Sequence, residues 1–204
     1  MKNGHVVSQI YIHLVAFALV AFSVVGLYGF LFINTASRLK VQSLSDVAVA
    51  GLLIAAGLLS AAHNRHRLGA LFASLLIALC VYTLLHNLAA PGLERDSSWI
   101  TGLLLMRSPL AALLGLTGVA LACAHLGTPG RWLARGYGIG LVLVIFTTHI
   151  SSWWPALDIE RIGFRIELNY IAHLCLRAIG GALVLLPLLP DNRSLLMDRL
   201  TVAA

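Results

Sequence analysis

The stretch IYIHLVAFALVAFSVVGLYGFLFI, from Ile10 to Ile33, decides the fold class of this chain. Between Lys2 and Arg38 the sequence has no Asp, Glu, Lys or Arg. The run is longer than the roughly 20 apolar residues that a helix needs to cross the hydrocarbon core of a bilayer. It also exceeds the roughly 7–15 residues of a signal-peptide core, so we expect a retained transmembrane helix.

The rest of the sequence has the same character. Of the 204 residues, 59% are hydrophobic and only 11% are charged, whereas charged residues make up about a quarter of a soluble domain. The net charge of +6 is divided into short clusters between apolar runs, which argues against a nucleic-acid-binding surface. Cys80, Cys123 and Cys175 lie inside apolar segments and lack the paired spacing of a disulfide framework or a thiolate metal site. The composition therefore places the chain in the lipid bilayer.

Six segments approach membrane-spanning length: 8–34, 46–62, 68–89, 108–126, 136–154 and 168–189. The run from Ser43 to Asp46 fits a capping box that opens the second helix, and Gly127 is a stop signal for the fourth. We predict an all-α integral membrane bundle of six transmembrane helices over residues 1–189. A short cytoplasmic tail, 190–204, follows it.

The connecting loops predict the orientation. Over all loops, the side of the membrane with the two termini has seven Lys or Arg residues and the other side has six. The short loops 63–67 and 127–135, however, carry only basic charges, and short loops are where the positive-inside rule has most force. We therefore place both termini in the cytoplasm, with Trp132 at the inner interface.

Glycines recur at a regular spacing in the even-numbered helices. Gly57 follows Ala50 by seven residues, Gly118 follows Ala111 by seven, and Gly180 follows His173 by seven. Successive glycines of this set lie 61 and 62 residues apart. This regularity indicates a repeated two-helix unit. The alternative is chance, because small residues abound in membrane helices.

Three stretches resemble a known family. The run from Met106 to Leu113, MRSPLAAL, with Gly118 to Leu121 after it, resembles the "RMSP-x-TAL … GLALL" signature of MASE-like regions. These are the multi-helix membrane regions that precede PAS, diguanylate cyclase or histidine kinase domains in bacterial signalling proteins. Leu79 to Leu88, LCVYTLLHNL, is similar to the "LLTLLEYL" helix before that signature, and Pro190 to Met197, PDNRSLLM, to the "PDRGLM" exit.

The sequence departs from the family pattern at several points. The signature threonine is replaced by Ala111 or its neighbour, and His86 stands in place of a glutamate. No PAS, cyclase or kinase sequence follows Ala204, so we expect an isolated sensor region or a stand-alone relative. The resemblance implies a sensing role in the bacterial inner membrane, with a downstream signalling domain or partner protein, but it supplies no ligand. A homodimer is one assembly that such a role would allow, and the sequence does not decide the oligomeric state.

Three histidines are expected at one depth. His86, His149 and His173 lie near the ends of helices that meet the outer interface. Imidazole is the commonest protein ligand for zinc, copper and haem iron, so the three could bind haem b or a transition metal. The alternative is ordinary hydrogen bonding within a bundle. The other histidines, His5, His13, His63, His66 and His125, fall near the cytoplasmic face and are expected to be solvated or interfacial.

The sixth helix carries a polar stripe. Asn169, His173 and Arg177 follow one another at i, i+4 and i+8. Because an arginine at mid-membrane costs about 2.5–3.5 kcal/mol on insertion scales, Arg177 should face the bundle interior and have a partner. We predict an outer pocket for an anionic or hydrogen-bond-accepting ligand, lined by this stripe and completed by His86 and His149. The alternative is a structural contact of Arg177 with a carbonyl or with Asp46.

The sequence contains no HExxH, no GxSxG, no paired intramembrane carboxylates and no phosphate-binding glycine loop, so we do not expect an enzyme. The first hypothesis is a signal-sensing membrane module that binds a small ligand near the outer leaflet and relays through the C-terminal segment. The second is a haem- or metal-binding membrane subunit, and the third is a structural subunit of a membrane complex.

Overall fold

The structure, a computed structural model, describes residues 2–32, 38–89, 108–151 and 170–189. These residues form six α-helices and no strand, which confirms the all-α prediction. The helices are α1 (Lys2–Phe32), α2 (Arg38–Ala62), α3 (His66–Ala89), α4 (Ser108–Ala124), α5 (Thr128–Ser151) and α6 (Tyr170–Leu185), and the 3₁₀ turn Leu186–Leu188 continues α6. The expected tail 190–204 lies outside the described residues.

Two helices begin earlier than the apolar pattern indicates. α2 starts at Arg38, so the helix runs through Ser43 to Asp46 and the capping-box interpretation is wrong. α5 starts at Thr128, directly after Gly127, rather than at 136. The hydropathy of a sequence indicates only the apolar part of a helix. The backbone hydrogen bonds of the helix can continue through Arg, Lys and Gln, because these residues have good helix propensity.

Helix α2 lies inside the bundle. Helices adjacent in the chain pack against each other, and α1 also contacts α6, which closes the ring. From Val47 to Ala62, α2 has no exposed residue, whereas α1, α3 and α5 carry most of the exposed large apolar side chains. Phe17 on α1, for example, is 75% exposed. Within the described ranges, two helices, α1 and α3, are long and apolar enough to cross a membrane.

Small residues allow close approach between neighbouring helices. A Cβ at Gly118 would lie 2.9 Å from Ile77 Cγ1 on α3, and one at Gly180 would lie 2.7 Å from Val142 Cγ2 on α5. Both glycines therefore face the helix that precedes them in the chain. Gly57 instead faces α4, where Leu121 Cδ1 would be 3.3 Å from an added Cβ.

Candidate functional site: a histidine and arginine cluster at one end of the bundle

Polar side chains collect at the end of the bundle where the α2–α3 and α4–α5 connections lie. We call this the histidine end, and its members are His13, His63, Asn64, His66, His125 and Arg131, together with the backbone of Leu189.

The two connections are compact turns. Asn64 adopts a left-handed conformation with φ 55°, and the N–H groups of Asn64 and Arg65 donate to the carbonyls of Ala61 and Ser60. This is a Schellman cap, for which asparagine is one of the few suitable non-glycine residues. Gly127, with φ 128°, makes the corresponding reversal before α5. The short turns place the first residues after α2 and α4 over the end of the bundle.

Arg131, in the first turn of α5, is only 3% exposed. Its Nη1 donates to the carbonyl oxygen of Leu189 at 3.0 Å, and its Nη2 donates to Asn64 Oδ1 at 3.2 Å. The Leu189 carbonyl is one of the acceptors left over at the end of a helix, which a cationic donor satisfies well. One buried guanidinium therefore joins the α2–α3 connection, the start of α5 and the end of the 3₁₀ turn.

His125, in the α4–α5 connection, is 4% exposed, and its ring occupies the space above Gly69, where no Cβ intervenes. The His66 ring centroid is 5.9 Å away. Burial, then the nearby His66 and Arg131, lower the pKa of His125 from 6.5 to about 4, against an opposing contribution from the Gly57 carbonyl. Among the described residues, neither ring nitrogen meets full hydrogen-bond geometry with a partner. His125 is therefore a neutral imidazole at physiological pH.

His13 and His63 form a second pair of rings, with centroids 5.2 Å apart and planes inclined at 72°. Nδ1 of His13 lies 2.7 Å from the Gln9 carbonyl oxygen, and Nδ1 of His63 lies 2.8 Å from that of Leu59. A carbonyl oxygen can only accept, so each Nδ1 carries a proton. In the neutral rings, Nε2 consequently keeps a free lone pair.

The residues predicted from the sequence lie elsewhere. His86 is half-buried on α3 with its ring 6.2 Å from that of Tyr82, and His173 and Arg177 are half-buried on α6. Asn169 and the His149 side chain lie outside the described residues. Over the described ranges, α3 and α6 share no extensive packing. The common site of His86, His149 and His173, with its haem or metal, stays a prediction.

The interior next to α6 is apolar. A small cavity of about 30 Å³ lies between α1, α2, α4 and α6, and α6 contributes Cys175, Leu176 and Ile179 to its wall. Arg177 is not part of that wall, but its Nε is buried and makes no hydrogen bond within the described part of the chain. The predicted link of Arg177 to Asp46 involves a side chain outside the described residues.

Sequence reasoning missed the buried members of the histidine end. His125 was expected to be solvated or interfacial, and Arg131 was counted only as a topology signal. One signal was present in the sequence: His63 and His125 are each the first residue after an even-numbered helix and lie 62 residues apart. Histidines at equivalent positions in the α2–α3 and α4–α5 connections suggest that both connections contribute to the same polar cluster.

No family model, no curated protein and no solved structure matches this chain.

Proposed function

We propose that this chain is a membrane-embedded sensing module, without catalytic activity of its own, that passes a change in helix arrangement to its C-terminal segment. The observation that carries the proposal is the buried Arg131, which ties Leu189, at the base of that segment, to the connections of the bundle. A sensor needs such a link, because a ligand acts only by favouring one arrangement over another.

The membrane setting is supported by the outer surface. Large apolar side chains such as Phe17, Val25, Leu85 and Leu143 are exposed along α1, α3 and α5. Soluble monomers rarely expose contiguous apolar patches of more than a few hundred Å². We propose that all six helices span the bilayer with the histidine end in the cytoplasm. At that end Arg135 lies over the exposed Trp132, 4.9 Å from the ring centre, as suits an interfacial aromatic residue.

We further propose that the bundle consists of three copies of a two-helix unit. Each even-numbered helix packs against the helix before it, and Gly118 and Gly180 occupy corresponding places in this packing. Gly57 departs from the pattern. The position 62 residues before Gly118 is Ala56, so a small residue still occupies the corresponding site.

For the input, we propose a small anionic or hydrogen-bond-accepting ligand near the outer leaflet, at His173 and Arg177. Support comes from the buried Nε of Arg177, which makes no hydrogen bond with the described residues, because a guanidinium N–H inside a bundle is costly without a ligand or partner. α6 and its 3₁₀ turn connect Arg177 to Leu189 over roughly 18 Å. A shift of α6 would therefore reach the Arg131 link directly.

Hydrogen exchange in the full chain, reconstituted in lipid vesicles, tests the relay. We expect Arg177→Gln to change the amide exchange of Leu188 and Leu189, and Arg177→Lys to restore most of the original protection. Leu174→Val, a change at a 47% exposed position one turn away, is the matched control and should leave that exchange as it was. Unaltered exchange at Leu188 and Leu189 in Arg177→Gln would contradict the relay.

A further inference from the structure

His13 and His63 come from different helices and are held in a defined orientation. Each ring donates its Nδ1–H to the carbonyl oxygen one turn earlier, Gln9 for His13 and Leu59 for His63. Metal-binding histidines characteristically show this bond, because it fixes the tautomer and the ring orientation and makes the other nitrogen more basic.

The spacing of the two rings also fits a shared ion. With a Zn–N distance of about 2.0–2.1 Å, the centroid of a bound imidazole lies about 3.2 Å from the metal, so two rings at a tetrahedral angle have centroids about 5.2 Å apart. The observed separation is 5.2 Å. We propose that His13 and His63 bind a divalent transition-metal ion of the Zn²⁺ or Cu²⁺ type through their Nε2 atoms.

The surroundings indicate an open site. His63 is exposed to solvent, and His13 borders a groove of about 570 Å³ whose wall is otherwise mostly apolar, with Leu14 and Phe17 among its residues. Among the described residues no third His, Cys, Asp or Glu joins the pair. The remaining coordination positions are thus available to water or to an incoming ligand, as in sites that are not purely structural. A bound ion would also clamp α1 to the end of α2.

This site is separate from the predicted set of His86, His149 and His173, and it does not depend on the sensing proposal. The experiment uses the purified full chain in detergent, with Zn²⁺ in competition with a fluorescent chelator. We expect one ion per chain in the wild type. Since loss of an outer-shell partner already costs about 10–100-fold in affinity, His13→Ala and His63→Ala should each weaken this binding by about 100-fold. The double variant should bind little more weakly than either single variant, because both remove the same site.

His5→Ala, on the same helix as His13, is the matched control and should bind as the wild type does. Electron paramagnetic resonance with Cu²⁺ gives a second readout: coupling to two imidazole nitrogens in the wild type and to one in each single variant. Acidification should release the ion, because the ligand nitrogens must be unprotonated.

The proposal is overturned if the wild type binds no stoichiometric Zn²⁺, or if either single variant keeps the wild-type affinity. If the alanine variants do not fold, His13→Gln and His63→Gln replace them, and the melting temperature becomes the readout. Zn²⁺ should raise the melting temperature of the wild type but not of these variants. A wild-type melting temperature that does not respond to Zn²⁺ would equally overturn it.

Discussion

Arg131 donates a hydrogen bond from Nη1 to the carbonyl oxygen of Leu189 at 3.0 Å, across 58 residues of chain. Both residues are buried, at 3% and 4% exposure. The contact closes the bundle at the histidine end, because α5 begins and the 3₁₀ turn after α6 ends at this point.

Replacing Arg131 with methionine should destabilise the fold by about 2–4 kcal/mol. The change removes two charge-assisted hydrogen bonds and leaves the buried Leu189 carbonyl and the half-buried Asn64 Oδ1 without their donor. Arg135→Met, on the same helix, removes a cation–π contact with Trp132 and should cost less than about 1 kcal/mol. Denaturant unfolding in detergent measures both, and equal losses would show that Arg131 acts only as a surface charge.

The stability of the fold should fall as the pH drops from 6.5 towards 4. The pKa of His125 is about 4 in the folded state against an ordinary 6.5, so in this range the unfolded chain binds more protons and acid favours unfolding. The full effect is on the order of 3 kcal/mol and is absent above pH 6.5. Its charged and titratable neighbours are Arg131, which stays cationic, and His66.

His125→Gln should flatten this acid dependence, whereas His86→Gln, in the last turn of α3 and so at its opposite end, should retain it. The measurement is the denaturation midpoint at a series of pH values. The same slope in His125→Gln and in the wild type would mean that another group controls the acid sensitivity.

Gly69→Ala should destabilise the protein by about 1–3 kcal/mol, because the new Cβ would overlap the His125 ring and force it out of its place. The cost should be much smaller in a His125→Ala background, where that ring is absent. A double-mutant cycle of unfolding free energies gives the coupling. Simple additivity would contradict the contact.

Gly180→Ala should cost about 1–3 kcal/mol, since its Cβ would lie 2.7 Å from Val142 Cγ2 and 3.0 Å from the Gly138 carbonyl oxygen. Gly140→Ala has no neighbour within 4 Å and should be neutral or raise the stability by up to about 1 kcal/mol. The melting temperatures of the two variants, compared with that of the wild type, test this difference in stability. A Gly180→Ala variant as stable as Gly140→Ala would rule out close α5–α6 packing.

The proposed topology is tested by labelling single cysteines in a cysteine-free background. A cysteine at Arg65, an exposed position in the α2–α3 connection, should react with an impermeant reagent only from the cytoplasmic side. A cysteine at Ser97, in the segment of the chain between α3 and α4, should react only from the outside. The reverse labelling pattern would show that the orientation of the bundle is opposite to the proposed one. Labelling of both cysteines from the same side would contradict the proposed membrane-spanning arrangement.

The sequence by itself determined the helical class and the six helices that the described residues form. Segment length, apolar composition and turn residues such as Gly127 are local properties, and they suffice to predict six helices and the two short connections. They could not extend the helices correctly into polar residues, as the early starts of α2 and α5 show.

Only the tertiary structure decided which faces of the helices meet. α1 and α3 are apolar all round, so no stripe of hydrophobic residues indicates which side points inward. The rotation of each helix follows from interlocking side chains and glycines, which depends on residues far apart in the chain. That rotation buries His125 over Gly69, brings His13 beside His63 and turns Arg131 towards Leu189.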